Sequence, residues 1–371
     1  MANNVIKVTA WDLCTNVLLT DLQAIAPTYT VRMNDAGPFS FALDLTDKTT
    51  SQQTSVILGL GDNPFKVIFS DVNQNILFAG IARTSTMDPT SPLLQITGTM
   101  LTGYFTSVFA ANSYTSPISP ATLMGQVITD VQAVPGANIG LIPNMRLTNP
   151  PPPFTPAYNV GQYIKVSQIL SDMTMGVTPG VGGVDYYMSS TFQNGVPQHL
   201  FNIVSPRCGQ DRNSSGWVLD LTRVLMWTRS TDTTNTGNQA TVVGSGTGAS
   251  QPTAVSTAPF PIGGLGQPPL MQTLYQYNRV TSQSQLQSIS NGAVQMFGGP
   301  VTVYTVTIPV THAACPLGGF GIGDDVPLTS PPTAYFPNGL RQWWRIVAYQ
   351  VTYPTEGVPT VTLTLNTPPV F

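Results

Sequence analysis

The sequence predicts a mainly β protein with small α+β insertions, organised around two antiparallel β-barrel or sandwich domains. Three observations predict it. First, two stretches read as copies of one module, Gly37–Gly98 and Gly299–Leu365. Each opens with Gly-Pro and an alternating run, Phe39-Ser40-Phe41-Ala42-Leu43 in one and Val301-Thr302-Val303-Tyr304 in the other. Gly61-Asp62 follows Gly37 at the same separation as Gly323-Asp324 follows Gly299. Each closes with two apolar runs, a proline-marked turn and a last alternating strand, and such self-similarity fixes architecture before any single element does. Second, period-2 alternation dominates the periodic segments. Third, Gly and Pro number 33 each, enough turn residues for many short strands. Chance likeness between two β-rich segments is the competing reading of the repeat.

Taken in order, Val5–Trp11 alternates as a strand, and Asp12–Leu22 carries the chain to a second strand, Thr28–Met33. Asn34-Asp35-Ala36-Gly37 is a turn, because Asn and Asp tolerate left-handed backbone and Gly supplies positive φ. Phe39–Leu45 alternates again, and Thr49–Leu58 is a short helix or an irregular crossing. Phe65–Phe69 and Ile76–Thr84 form a hairpin around Asp71–Asn75, and Leu93–Met100 completes a meander. The strand density suits an antiparallel barrel or sandwich, residues 1–112, completed by strands within 215–250.

An inserted α+β region is expected over 113–214. Its best helix runs from Pro120 to Val131, with Ser119 as cap, proline in the first turn and an apolar stripe at Leu123, Val127, Ile128 and Val131. Asn149–Pro153 must be extended, as spacer or docking motif. Val166–Met173 fits a second helix, and Asp185–Met188 pairs with His199–Val204. Residues 215–268 hold return strands, Trp217–Thr228 and Asn238–Gly244, and an exposed loop or linker over Gly246–Pro269. The second β domain, 269–371, opens with a polar helix over Arg279–Met296 whose thin apolar side is Leu286, Ile289 and Val294.

Charge bounds the function. Only 8% of residues are charged, with 14 Lys+Arg against 17 Asp+Glu and a net charge of −3, while 42% are hydrophobic. An ordinary soluble domain carries about 25% charged residues. A chain solubilised by Thr, Ser, Asn and Gln suits a fixed assembly, where large surfaces are buried and few charges need desolvation. There is no basic stripe for nucleic acid. No run approaches the roughly 18 apolar residues of a membrane helix. Met1–Lys7 does not read as a signal peptide.

Catalytic chemistry finds no foothold, and no catalytic, cofactor-binding or metal residue is assigned. His199 and His312 lack ligand spacing and read as strand and loop residues. Cys14, Cys208 and Cys315 form no disulfide or zinc pattern and read as three buried small apolar residues. Gly318–Gly323 lacks the lysine and helix start that hold a phosphate, so its role is backbone geometry before a strand. Asp324-Asp325 reads as a turn cap rather than a calcium site. Glu356, the single Glu, lies in a hairpin turn; an acid pair for glycoside cleavage needs no fixed spacing, but carboxylates are scarce. Trp343-Trp344 lies within a strand, so the rings face opposite ways, as core plus interface or as a stacking platform for a ligand.

At Asn34–Phe41, Ile76–Gly80, Ile96–Gly98, Asn238–Gly246, Gly323–Val326 and Trp344–Val347 the chain resembles the tail-tip hub proteins of long-tailed bacteriophages, often called minor tail proteins. The motifs are short and their order carries the resemblance. The resemblance implies two tail-tube-like β domains per chain and a homotrimer that presents six of them. Such a trimer adapts a sixfold tube to a threefold tip. It implies a virion protein at the tail tip, made in the host cytoplasm and not inserted in a membrane. Its implied partners are itself, a distal tail protein, the tape-measure protein and other tail-tip proteins, with DNA passing through the lumen unbound. No lytic, fibre or carbohydrate-binding domain is evident before Phe371, so such activities are expected from other proteins. The alternatives are a hexameric distal tail protein, which needs one tube-like domain per chain, a β-rich host-carbohydrate-binding or capsid decoration protein, and a cell-wall hydrolase.

Overall fold

The computed structural model describes residues 6–58, 63–88, 90–175, 184–212, 216–233, 236–258, 268–277, 280–298, 301–313 and 315–366. Gly61-Asp62, Gly299-Pro300, Arg279 and the start of the first predicted strand at Val5 lie outside them.

The N-terminal part comprises β1 (Lys7–Trp11), β2 (Leu18–Leu22), β3 (Ile25–Arg32), β4 (Pro38–Asp44), α1 (Lys48–Leu58), β5 (Phe65–Ser70), β6 (Ile76–Met87) and β7 (Leu93–Met100). The ambiguous crossing after β4 is thus a helix. Strand β2 lies in what sequence alone reads as a connection; its exposure pattern does not alternate strictly, so the period-2 signal is weak. Asn34 takes the left-handed backbone expected of the turn, with φ +59°.

The insertion follows with α2 (Pro120–Gln132), β8 (Leu141–Leu147), α3 (Val166–Met175), β9 (Asp185–Gln193) and β10 (Val196–Ser205). Ser119 caps α2 by accepting from the Thr122 amide at 3.2 Å, and Leu123, Val127, Ile128 and Val131 are all buried. The predicted β9–β10 pairing is present from Asp185↔Val204 to Gln193↔Val196. β8 joins β10 in parallel.

The remainder comprises β11 (Leu219–Asp220), β12 (Met226–Asp232), β13 (Gln239–Val243), β14 (Thr253–Thr257), β15 (Gln272–Gln276), α4 (Gln283–Phe297), β16 (Val301–Pro309), β17 (Asp325–Ser330), β18 (Leu340–Thr352) and β19 (Thr360–Asn366). Two expectations are corrected here. The strands of 215–250 do not complete the first β unit: β12 pairs with β16, β11 with β17, and β13 sits in a separate three-stranded sheet. Thr253–Thr257 is not linker but β14, pairing with β13 and burying Ala254 beside Leu286 and Ile289 of α4. A run of five short residues among Ser, Thr and Pro gives too little apolar signal to separate a strand from a loop.

The main sheet has 13 strands in the order β12-β16-β19-β18-β3-β4-β7-β6-β5-β1-β2, with β17 on β18 and β11 on β17. The repeat is written in this order. The first copy reads β3-β4-β7-β6-β5 and the second β12-β16-β19-β18-β17. Even the irregularities coincide. β6 slips register against β7 between Ala82 and Thr84, and β18 slips against β19 between Ile346 and Ala348. A shared bulge at the same ladder step is a designed feature of a common module. One continuous apolar core serves both copies: Phe39, Phe41, Phe69 and Phe78 from the first lie in the same cluster as Tyr304, Val306, Trp344, Ile346 and Leu363 from the second. A second core joins the insertion to the sheet through Trp11, Ile68, Ala79 and Ile81.

Candidate functional site

Directly paired residues share a face of a sheet. The registers therefore trace rows of side chains across strands. One row runs Thr360–Thr352–Thr28–Ser40–Thr97–Thr84, crossing β19, β18, β3, β4, β7 and β6. A second runs Met226–Thr307–Thr362–Gln350–Thr30, and a third Thr228–Thr305–Thr364–Ala348–Arg32. Corresponding positions of the two copies carry the same chemistry: Thr28, Ser40 and Thr97 in the first match Thr228, Thr305 and Thr364 in the second. These side chains are partly or fully exposed apart from Thr30. Thr307 and Thr362 hydroxyls lie 3.0 Å apart, so neighbours in a row hydrogen-bond to each other.

The result is a broad wall of hydroxyls and amides. Arg32, Asp44 and Asp232 stand on it at the last positions of β3, β4 and β12, with Arg32 engaged with Asp35 at 3.0 Å, and Arg345 and Asp325, which the pairing puts on the same face, are buried. The same sheet face changes character at β1, β5 and the first half of β6. There Ile68, Ala79 and Ile81 are apolar and covered by the insertion. β-branched Thr serves both demands at once: it favours strands and presents a neutral polar group.

Three buried or part-buried ion pairs instead lock elements together. Arg345 donates from Nη2 to Asp185 Oδ2 at 2.6 Å and to the Cys208 carbonyl at 2.9 Å. Asp324 accepts from Arg212 Nε at 2.6 Å, from the Gln210 amide at 2.8 Å and from the Gly321 amide at 2.7 Å; Arg207 pairs with Asp325. Asp324 caps the turn, as expected from sequence, and Asp324 and Asp325 also anchor ion pairs that sequence did not reveal. The glycines before it supply geometry. Gly323 has φ +86° and Gly209 φ +87°, and a Cβ on Gly209 would stand 1.9 Å from the Gly323 carbonyl carbon.

The residues weighed for chemistry are not brought together. His199 is fully buried in β10, with Nδ1 2.8 Å from Ser190 Oγ, and burial holds its pKa well below the ordinary value. His312 lies in the turn after β16. Cys208 and Cys315 are buried and burial pushes both thiols up to about 12. Cys14 is a correction: it is exposed, in a turn where Asp12 accepts from the Cys14 and Thr15 amides. No group of three or more His, Cys, Asp and Glu suited to a metal occurs among the described residues. No helix among them is long and apolar enough to cross a membrane. Trp344 is buried against Tyr304 at 4.6 Å between ring centroids, while Trp343 is 38% exposed, giving the two-faced arrangement expected of adjacent strand residues.

No protein-family model matches the sequence, and no curated protein matches it. Solved structures do. The fold is that of phage tail proteins. The chain is similar to the tail protein from Neisseria meningitidis MC58, with a TM-score of 0.59 and 13% identity over 98% of this chain and 96% of that one. It is similar to the 43 kDa tail protein of prophage MuSo2 from Shewanella oneidensis, with a TM-score of 0.59 and 12% identity over 98% of each chain. Prophage tail protein gp18 from Listeria monocytogenes EGD-e gives a TM-score of 0.54 and 12% identity over 96% and 94%. The order of short motifs thus pointed to the right fold where the motifs singly did not. The signal sequence reading missed is the hydroxyl wall, legible as alternate Thr in Thr360-Val361-Thr362-Leu363-Thr364 and in Thr305-Val306-Thr307.

Proposed function

We propose that this chain is a structural virion protein of a phage tail. Three copies form the hub at the tail tip, match a sixfold tube to a threefold tip, and line the passage for tape-measure protein and DNA. The observation that carries this reading is the repeated strand order, β3-β4-β7-β6-β5 against β12-β16-β19-β18-β17. Two equivalent β units per chain supply six units from three chains, which a chain with one unit supplies only as a hexamer. The proposed units are 1–112 and 215–371, with 113–214 as the inserted region. The hydroxyl wall supports the passage: DNA is retained through Lys and Arg contacts to phosphate, and the rows of this surface offer mainly hydroxyls and amides. The work of such a protein is shape and symmetry, not catalysis. Its partners in this reading are its own copies, a distal tail protein, the tape-measure protein and other tip proteins.

The mass of the purified protein under native conditions tests the reading. Three copies of the 39.6 kDa chain are expected. Six copies would favour the distal tail protein, and a stable single copy at micromolar concentration would count against both.

A further inference from the structure

Within one chain the two repeats are already joined edge to edge. β3 of the first pairs with the end of β18 of the second, from Arg32↔Ala348 to Thr28↔Thr352, on the edge that β17 occupies further back along β18. By repeat equivalence β12 corresponds to β3, and the far end of β6 corresponds to the far end of β18. Each equivalent has one edge with no strand beside it among the described residues. β12 is the terminal strand of the sheet, paired only with β16 among the described residues, and it is exposed along nearly its whole length. β5 leaves β6 at Ala82, so Thr84–Met87 has β7 on one edge and no strand among the described residues on the other. All four residues are exposed.

We propose that β12 of one copy pairs antiparallel with Thr84–Met87 of the next copy, in the register that β3 and β18 use within the chain. This rests on the ring-forming hub reading and adds to it the edges, the partner and the register. Transferring the internal register puts Thr231 opposite Ser85, Ser230 opposite Thr86 and Arg229 opposite Met87. The side-chain fit supports that assignment. Met87 is 56% exposed on the core-side face, since it pairs with Leu94. Its equivalent Val351 is fully buried, opposite Tyr29. Arg229 of β12 lines a recess of about 380 Å³ together with Thr302, Tyr304, Gln342, Trp343 and Trp344. Arg229 pairs with Tyr304 and so shares the core-side face. The register sets the exposed Met87 opposite Arg229, at the rim of an aromatic-lined recess that suits a flexible thioether. The exposed edge Thr84-Ser85-Thr86-Met87 carries no charge, though charges are the usual protection of a free edge. The contact is heterologous, and three of them close a ring that leaves neither edge open. The hydroxyl rows then continue from copy to copy.

Engineered cysteines test the register, with Cys14→Ser removing the exposed native thiol. Directly opposite residues place Cβ atoms at about 4.5–5.5 Å, close enough for a disulfide after slight adjustment. Ser230→Cys with Thr86→Cys is expected to give dimers and cyclic trimers on oxidation as most of the protein. Ser230→Cys with Asp88→Cys, two residues out of register, is expected to give at least tenfold less. A charge swap provides an independent readout. Ser230→Lys with Thr86→Lys is expected to lose the trimer, and Ser230→Lys with Thr86→Glu to restore it. Wild-type mass of three copies with no Ser230–Thr86 cross-link, or with equal cross-linking out of register, would overturn the pairing and leave the hub reading standing. Wild-type mass of one copy would overturn both.

Discussion

Arg345 of β18 and Asp185 of β9 form an ion pair at 2.6 Å, with side chains only 7% and 12% exposed. They are 160 residues apart in sequence, and they fix the insertion to the second repeat. The guanidinium also donates to the Cys208 and Gly323 carbonyls, so the charge is surrounded by acceptors. Removing one partner of such a pair strands the other charge, which costs about 3–5 kcal/mol. Asp185→Asn is therefore expected to lower the denaturant midpoint markedly without changing the slope. Asp185→Leu with Arg345→Met is expected to recover most of that loss, as measured by urea unfolding.

Lys66 of β5 is fully buried, donating to Asn16 Oδ1 and to the Ile139 carbonyl at 3.1 Å. Burial lowers its pKa from 10.5 to about 8. The unfolded chain thus binds more protons than the native one between pH 8 and 10.5, so this group's contribution to stability rises with pH across that window. The full effect is about 3 kcal/mol. The difference in unfolding free energy between wild type and Lys66→Met, measured from pH 7 to 10.5, is expected to shift in favour of wild type as pH rises. A flat difference would show that Lys66 keeps its proton freely.

Phe39 meets Phe41, Phe69 and Phe78 at ring-centroid distances of 6.2, 5.7 and 5.7 Å. It lies in the core shared by both repeats. Phe39→Ala is expected to cost about 3–5 kcal/mol. Val72→Ala, at an exposed hairpin, is expected to stay within about 0.5 kcal/mol. Guanidinium titrations of both variants check the contrast.

The hydroxyl wall gives a gain-of-binding prediction. Thr97→Lys with Thr352→Lys puts two cations in one row. The variant is expected to fold and assemble as wild type but to retain duplex DNA at low salt, with retention falling as salt rises. Wild type is expected to retain none. A filter-binding series across salt concentrations measures it.

Most of this fold was legible because its strands alternate cleanly and its best helix carries a cap, a proline and a stripe. Where the physics was local, as in Ser119 with Pro120 or Leu286 with Ile289, sequence sufficed. Where it was not, sequence failed. β14 is a strand because β13 and α4 lie beside it, and β12 belongs to the second repeat because β16 follows it in space, not in sequence. The repeat itself was visible through glycines and spacing, but two of its markers, Gly61-Asp62 and Gly299-Pro300, fall outside the described residues. Strand order and the matched bulges at Ala82/Thr84 and Ile346/Ala348 carry it instead. The wall was hidden because alternate Thr looks like ordinary strand propensity until registers align the rows.

In the proposed hub the two repeats are equivalent units of one ring. Electron cryomicroscopy of the assembled protein, reconstructed without imposed symmetry, tests it most directly. The expected particle has true threefold symmetry, with six β units of matching topology spaced at near-equal angles around a central passage faced by the Thr28–Ser40–Thr97 and Thr228–Thr305–Thr364 rows. A particle in which only one repeat of each chain faces the axis, or in which the hydroxyl rows face outward, would contradict it.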